Sequence, residues 1–265
     1  MAAIRAINDP ISIEELGAIA LVCINNPPVN ATGLAVRQGL QQAIEVLNSE
    51  GVVQAIGIYA AGRTFVAGAD IREFGKPPMP PALPDVFNVI EDSAIPVVAV
   101  MHGTALGGGF ELGLSCHARV GIEGLKIGLP EINLGLLPGA GGTQRVPRLA
   151  GIPMALDMAL SGRQVAAKEA LEKGLIDRLV VGDPREVALK AAQDVVAGAL
   201  VTRRTCDLVT PKDDKALNDT AEMLKKTQAH MFSCHKIVEA VRASYLPRSE
   251  GLKIERQAFM DSMQT

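Results

Sequence analysis

The chain has 265 residues, of which 48% are hydrophobic and 21% charged, a composition typical of a globular protein with a sizeable core. Its net charge of -3 and its 3% of aromatic residues do not favour nucleic-acid binding. The sequence contains neither the roughly 18 successive apolar residues of a membrane span nor the apolar start of a signal peptide. We therefore expect a cytoplasmic protein that binds a small molecule, with no membrane or nucleic-acid partner.

The cysteines and histidines do not form a recognisable metal or disulfide pattern. The four cysteines are widely separated, and no C-x-x-C pair occurs among them. Cys116 and His117 are neighbours, but adjacent residues on a strand point to opposite faces, which disfavours a thiol catalyst. We expect reduced thiols and no metal site.

Short runs rich in valine and isoleucine recur in the first half of the chain and predict buried strands. These runs are residues 18–24, 53–60, 96–103 and 118–123. Between the first two, residues 34–51 have apolar positions at helical spacing and end at Gly51. The alternation of strand and helix predicts an α/β fold.

Helical patterns dominate later in the chain. Residues 165–175 carry oppositely charged pairs at helical spacing, and Asp183 is placed to cap a further helix. Residues 214–230 and 233–263 also predict helices, the second broken near Pro247. We expect two parts, which are an α/β core over residues 1–195 and a C-terminal helical region over residues 196–265.

The segment GKPPMPPALPD, residues 75–85, contains five prolines and falls between two predicted strands. Strand patterns resume soon after it, which argues against a linker between domains. Its composition predicts a surface loop.

The stretch GTALGGGFEL, residues 103–112, places three glycines before Phe110 and Glu111. Glycines let a ligand approach main-chain amides closely. If a helix begins near Gly108, its first amides are unpaired and suit an anion or an oxygen that gains negative charge. Close packing is the alternative explanation. This stretch and PGAGGTQR, residues 138–145, both lack the pattern of a phosphate loop or a dinucleotide fingerprint.

Two glutamates lie in apolar, glycine-rich surroundings. Glu111 falls in the first turn of the expected helix, where a carboxylate also stabilises the helix dipole, so a simple charge at a helix start is an alternative. Glu131 lies between Pro130 and an apolar stretch, where burial of an unpaired carboxylate is costly. Together they indicate general acid–base chemistry, in which different environments give the two carboxyl groups different pKa values.

A third stretch, FVAGADIREF, spans residues 65–74. Its Ala-Gly-Ala turn offers another free amide, and Asp70 is placed to cap the turn that follows. Arg72 is a candidate cation for a phosphorylated ligand, with a solvated arginine as the alternative.

Taken in this order, FVAGADIRE, GTALGGGFEL and IGLPEINLGLLPGAGGTQRVPRLAG resemble the crotonase, or enoyl-CoA hydratase/isomerase, family. The resemblance covers residues 15–185, continues through ALSGRQVAAKEALEKGLID, and favours the hydratase part of bifunctional enoyl-CoA hydratase/3-hydroxyacyl-CoA dehydrogenases. This chain has no dinucleotide fingerprint. It is expected to be either a stand-alone relative or, as the helical pattern at its end favours, part of a longer protein.

The resemblance implies a spiral of ββα turns followed by C-terminal helices. It also implies that the amides of Ala69 and Gly108 form an oxyanion hole for the thioester carbonyl of an acyl-CoA. Glu111 is then expected to take a proton from the attacking water, and Glu131 to deliver one to the alpha carbon. The acyl-CoA is the substrate, and no cofactor is expected.

The residues ADIR of the family motif imply substrate contacts by Ala69, Asp70, Ile71 and Arg72, together with Gly108. Arg72 is expected near the adenine or its phosphate. Phe110 stands where many members carry a smaller residue, so it either packs behind the site or narrows the acyl pocket.

The implied reaction is the reversible hydration of trans-2-enoyl-CoA to 3-hydroxyacyl-CoA in fatty-acid beta-oxidation. Relatives that only shift a double bond usually lack the first glutamate, so the presence of both favours a hydratase with secondary isomerase activity. The alternatives are an enoyl-CoA isomerase and a non-catalytic acyl-CoA-binding subunit. The family further implies a homotrimer or hexamer, or a fusion to a dehydrogenase domain.

Overall fold

The structure is a computed structural model that describes residues 3–73, 75–77 and 79–264, with the backbone alone for Ala3 and Ile71. The strands of the described residues are β1 (Ala3–Asn8), β2 (Ile11–Leu16), β3 (Ile19–Ile24), β4 (Ala55–Ala60), β5 (Val97–Met101), β6 (Thr104–Leu106), β7 (Ala118–Ile122), β8 (Lys126–Gly128), β9 (Gln164–Ala166) and β10 (Arg178–Val180). The α-helices are α1 (Leu34–Glu50), α2 (Leu83–Glu91), α3 (Gly108–Ser115), α4 (Gly142–Ser161), α5 (Ala167–Glu172), α6 (Pro184–Val196), α7 (Asp214–Thr227), α8 (Phe232–Arg242) and α9 (Arg248–Ser262).

Two sheets organise the chain. The larger has the order β1-β2-β3-β4-β5-β7-β10, antiparallel up to β3 and parallel from β3 onward. The smaller contains β6, β8 and β9, and Val66 adds a parallel bridge to Ala105 beside it. Parallel neighbours require crossover connections, and here the crossovers carry short strands of the second layer as well as helices. The α/β class and the spiral of ββα turns are therefore confirmed.

The predicted valine- and isoleucine-rich strands correspond to β3, β4, β5 and β7. The helix expected over residues 34–51 is α1, and Gly51 ends it with a φ of 63° and an N–H that donates to the Leu47 carbonyl. The prediction for residues 75–85 is wrong at its end, because α2 begins at Leu83. A proline in the first turn of a helix loses no hydrogen bond, so Pro84 is compatible with this start.

The outer face of the larger sheet is covered by α6. Alanines of this helix pack on the buried valines and isoleucines of the sheet. Gly57 of β4 allows the close approach, because a Cβ on it would lie 3.0 Å from the Ala188 carbonyl oxygen. As predicted, Asp183 caps the helix and accepts hydrogen bonds from the backbone amides of Arg185 and Glu186.

From residue 182 to residue 264 the regular elements of the described chain are all helical. The expected break near Pro247 lies between α8 and α9. Both helices pack against α4 and against each other, so the C-terminal segment contacts the body of the spiral. The division at residue 195 stays a prediction. Among the described residues no helix combines the length and the apolar character that membrane crossing requires.

A buried ion pair links α2 to α4. Arg145 Nη2 lies 2.7 Å from Glu91 Oε2, and the two side chains are 1% and 0% exposed. Burial alone would raise the pKa of Glu91, but the guanidinium of Arg145 outweighs it and holds this pKa at about 2. Glu91 Oε1 also accepts the Cys206 amide at 2.8 Å.

Replacing Glu91 with leucine is expected to lower the free energy of unfolding by about 3–5 kcal/mol, because the Arg145 charge then stays buried without a partner. Urea denaturation followed by circular dichroism measures the change, with exposed Glu172→Leu as the control. A loss no larger than that of the control would refute this role of the ion pair.

Candidate active site

A cavity of about 820 Å³ opens between the spiral and α9. Its walls come from residues 67–70, 106–108, 130–131 and 139–140, and from one face of α9. Leucines, methionines and Phe259 make much of the surface apolar, while only a few polar groups reach it. This combination is typical of a small-molecule site.

The three glycines before Phe110 have three different functions. Gly107 has a φ of 51° and turns the chain into α3, and a Cβ on it would lie 2.7 Å from Glu131 Oε1. Gly109 packs closely, since a Cβ there would lie 2.1 Å from the Val66 carbonyl oxygen. Gly108 is the first residue of α3, so its amide has no partner within the helix. The sequence analysis left close packing and an unpaired amide as alternatives, and both occur in this stretch.

The amides of Ala69 and Gly108 come together at this wall of the cavity. A Cβ on Gly108 would lie 3.7 Å from the Ala69 nitrogen. Neither amide donates to an acceptor within the described part of the chain. Two neighbouring free amides at the positive end of a helix are suited to an oxygen that gains negative charge.

Glu111 lies one turn inside α3 and is 2% exposed. Its Oε1 accepts the backbone amides of Ala140 and Gly142 at 2.9 and 2.8 Å. Its Oε2 accepts no hydrogen bond from the described residues, and the side chain lines the cavity. Burial raises the pKa of Glu111, and the two amides oppose this rise because they stabilise the carboxylate. One carboxylate oxygen is therefore fixed while the other remains available.

Glu131 lies in the short 3-10 turn Pro130–Leu134 and lines the same cavity. Its Oε2 is inaccessible to solvent and has no hydrogen-bond partner among the described residues. Burial, followed by the negative charge of Glu111, raises the pKa of Glu131 well above its ordinary value. The protonated form is favoured, because an unpartnered buried carboxylate is costly. The structure thus gives the two glutamates different environments.

Glu255 of α9, a further glutamate beside the site and itself buried, was not predicted from the sequence. Its Oε1 accepts the Gly141 amide at 2.5 Å, and its Oε2 accepts the Thr143 amide at 2.9 Å and the Thr143 hydroxyl at 2.5 Å. One signal was available, because the buried stripe of α9 consists otherwise of small residues, namely Gly251, Ala258 and Ser262. A glutamate within such a stripe needs a buried partner.

Of the remaining residues predicted at the site, Asp70 lines the cavity, whereas Arg72 and Phe110 do not. Asp70 lines the cavity, caps its turn by accepting the Arg72 amide at 3.0 Å, and pairs with the Arg72 guanidinium at 2.7 Å. Arg72 is 79% exposed at its side chain and is not among the described lining residues. The side chain of Ile71 lies outside the described residues. Phe110 is fully buried in the core rather than in the cavity wall, so it packs behind the site.

Other cations reach the cavity. Arg37 of α1 lines it and donates to the carbonyls of Met79 and Pro81, which holds the proline-rich loop against the helix. Lys76 and Arg256 also line the cavity, from the loop and from α9. Sequence reasoning missed these residues because no local motif marks them.

Comparison with known proteins identifies the family. The model of the enoyl-CoA hydratase/isomerase family matches residues 14–246, and the chain belongs to this family. A peroxisomal bifunctional enzyme of Danio rerio is 44% identical over 244 residues, which are 90% of this chain and 34% of that protein. A probable enoyl-CoA hydratase of Bacillus subtilis is 34% identical over 250 residues, 92% of each chain. The family resemblance and the likeness to bifunctional enzymes are thereby confirmed.

A solved structure gives the same result. The crystal structure of enoyl-CoA hydratase subunit I from Geobacillus kaustophilus is 30% identical, with a TM-score of 0.64 over 98% of this chain and 92% of that one. The present chain spans about a third of the length of the bifunctional relatives that it matches.

Proposed function

We propose that the chain is an enoyl-CoA hydratase that adds water reversibly to trans-2-enoyl-CoA in fatty-acid beta-oxidation and yields 3-hydroxyacyl-CoA. The observation that carries this proposal is the meeting of two glutamates and two free amides at one apolar cavity, with Glu111 buried and Oε2 of Glu131 inaccessible to solvent. The names of the relatives from Danio rerio and Bacillus subtilis support it. No metal or redox cofactor is required by this chemistry.

The thioester carbonyl is proposed to accept hydrogen bonds from the amides of Ala69 and Gly108. Negative charge develops on its oxygen as the beta carbon is attacked, so donors that are already oriented stabilise the transition state more than the substrate. The position of Gly108 at the start of α3 adds the positive end of the helix dipole.

The two glutamates are proposed to divide the proton transfers. Glu111, ionised and fixed through Oε1, offers Oε2 to a water molecule and takes its proton as the oxygen bonds to the beta carbon. The double-bond electrons move toward the thioester as an enolate. Glu131, held protonated by the burial of its Oε2 and by the charge of Glu111, delivers a proton to the alpha carbon. Reversal of the same steps dehydrates the product.

Substrate contacts extend the proposal to Asp70, Ile71 and Arg72. For Arg72 and Ile71 the family resemblance is the only support. Lys76, which lines the cavity, is a better-placed cation for the phosphates of coenzyme A. Trimeric or hexameric assembly and fusion to a dehydrogenase domain also remain proposals based on the family.

The pH dependence of kcat is expected to be bell-shaped. Hydration requires Glu111 ionised, so the rate falls as pH drops through a pKa that burial has raised above the ordinary carboxyl range. It also requires Glu131 protonated, so the rate falls again as pH rises through the well-raised pKa of Glu131. Both apparent pKa values belong to the coupled pair. A single acid limb at an ordinary carboxyl pKa would contradict this assignment.

The proposed reaction is tested by supplying purified protein with 2-enoyl-CoA and, separately, with 3-enoyl-CoA. A hydratase consumes the enoyl absorbance of the first substrate. Predominant conversion of the second into the first would instead establish the isomerase alternative. Binding of either thioester without turnover would establish a non-catalytic acyl-CoA-binding subunit.

A further inference from the structure

Glu111 and Glu255 divide the amides of the turn over residues 140–143 between them. Glu111 accepts the two even-numbered amides, and Glu255 accepts the two odd-numbered ones. The two carboxylates therefore bind alternate amides of the same four-residue segment. One comes from α3 in the spiral, and the other comes from α9 near the end of the chain.

The amino-acid composition of this turn does not by itself make it rigid. Gly141 has a φ of 108°, and Gly139 and Gly142 lie beside it, so the segment has many accessible conformations when unconstrained. Because the four amides belong to consecutive residues, fixing the odd-numbered pair restricts the direction of the even-numbered pair. Glu255 supplies the acceptors for the odd-numbered side.

Glu255 acts on the site from outside the cavity. It is 1% exposed and is not among the described residues that line the cavity. It lies on α9, beyond residue 246, where the match to the family model ends. A role in catalysis must therefore pass through the turn that it holds.

We propose that Glu255 is a positioning residue, which orients the 140–143 turn so that its amides hold Oε1 of Glu111 and leave Oε2 directed to the reacting water. This inference rests on the proposed function, because Glu111 is the base of that reaction. It makes the last helix part of the active-site architecture, connected to it by hydrogen bonds to the backbone.

The charged groups around Glu111 come from three elements and affect its titration. Glu131 belongs to the 3-10 turn, Glu255 and Arg256 belong to α9, and Arg145 belongs to α4 and pairs with Glu91 of α2. Burial, and then the charge of Glu111, raise the pKa of Glu255 to about 8.

Two substitutions weaken the hold of Glu255 on the odd-numbered amides in different ways. Glu255→Asp keeps the carboxylate but withdraws it by one methylene, so it no longer reaches both odd-numbered amides. Glu255→Gln keeps the length of the side chain but has a single acceptor oxygen, so its NH2 group faces one of the two amides that the carboxylate accepts. Glu250→Asp is the matched control, because Glu250 is exposed on the same helix.

For Glu255→Asp we expect kcat to fall by about 10- to 100-fold, as for displacement of a catalytic group by about 1 Å. KM should stay within about threefold, because the substrate does not touch this residue. Glu255→Gln, which loses one of the two amide contacts, should also lower kcat. Unchanged kcat per folded molecule in both variants, even with a lowered Tm, would overturn the positional role.

A second measurement does not require activity. In protein labelled with carbon-13 at the glutamate carboxyls, the signal of Glu111 is assigned by its absence in Glu111→Gln and titrated by NMR. In Glu255→Asp the titration midpoint of Glu111 should rise, because loss of amide hydrogen bonds destabilises the Glu111 carboxylate. An unchanged midpoint overturns the inference. A raised midpoint in a protein that hydrates no enoyl-CoA would support the positioning while refuting the proposed function.

Discussion

Replacing Glu131 with glutamine is expected to lower kcat for enoyl-CoA hydration by about 100- to 10,000-fold, the usual contribution of a positioned general acid or base. Glutamine fills the same space beside Gly107 but has no proton to transfer to the alpha carbon. Glu111→Gln is expected to act similarly, because an amide cannot take a proton from the water. Steady-state kinetics with a short 2-enoyl-CoA measure both effects.

The two substitutions should leave the fold intact. Each replaces a carboxyl with a neutral amide of nearly the same size, which adds no buried charge. Glu123→Gln, at an exposed glutamate, is the matched control and should retain the parental rate and Tm. Wild-type rates in both active-site variants would disprove the assignment of Glu111 and Glu131.

Replacing Gly108 with alanine is expected to lower kcat/KM by about 100- to 1,000-fold, the usual effect of losing one oxyanion donor. The added methyl group would lie 3.7 Å from the Ala69 nitrogen and 3.2 Å from Leu83 Cδ1, in the space proposed for the carbonyl oxygen. Alanine is favourable in a helix, so Tm should change little.

Gly113→Ala in the same helix is the matched control. Its methyl group would lie 2.6 Å from Met101 Sδ, inside the core rather than in the cavity. It should lower the free energy of unfolding by about 1–3 kcal/mol through overpacking and leave kcat/KM nearly unchanged. Full activity in Gly108→Ala would rule out the oxyanion hole at this position.

Local sequence patterns were sufficient for the main strands and for the glycine turn. Runs of valine and isoleucine identify β3, β4, β5 and β7 because these strands are buried and leave little room for polar residues. Glu111 and Glu131 stood out because each carboxylate lies in an apolar stretch. That they share a cavity followed only from the family resemblance, since distance in space is not encoded in local spacing.

The features that the sequence did not predict were hidden for physical reasons. The proline-rich composition of residues 75–85 concealed the start of α2, although prolines are tolerated in a first helical turn. Strands of three residues such as β6, β8 and β9 are too short for a periodic pattern. Glu255 lies 114 positions from Gly141, so only the tertiary fold reveals their hydrogen bond.

The most direct test of the proposed chemistry is the mass of the product formed in water that carries a heavy oxygen isotope. Purified protein is incubated with a 2-enoyl-CoA, and the thioesters are analysed by mass spectrometry. Hydration at this site predicts a 3-hydroxyacyl-CoA that contains one labelled oxygen, formed by the parent protein and nearly absent with Glu131→Gln. Unchanged substrate, or a shifted double bond without incorporation of oxygen, would contradict the proposed hydratase activity.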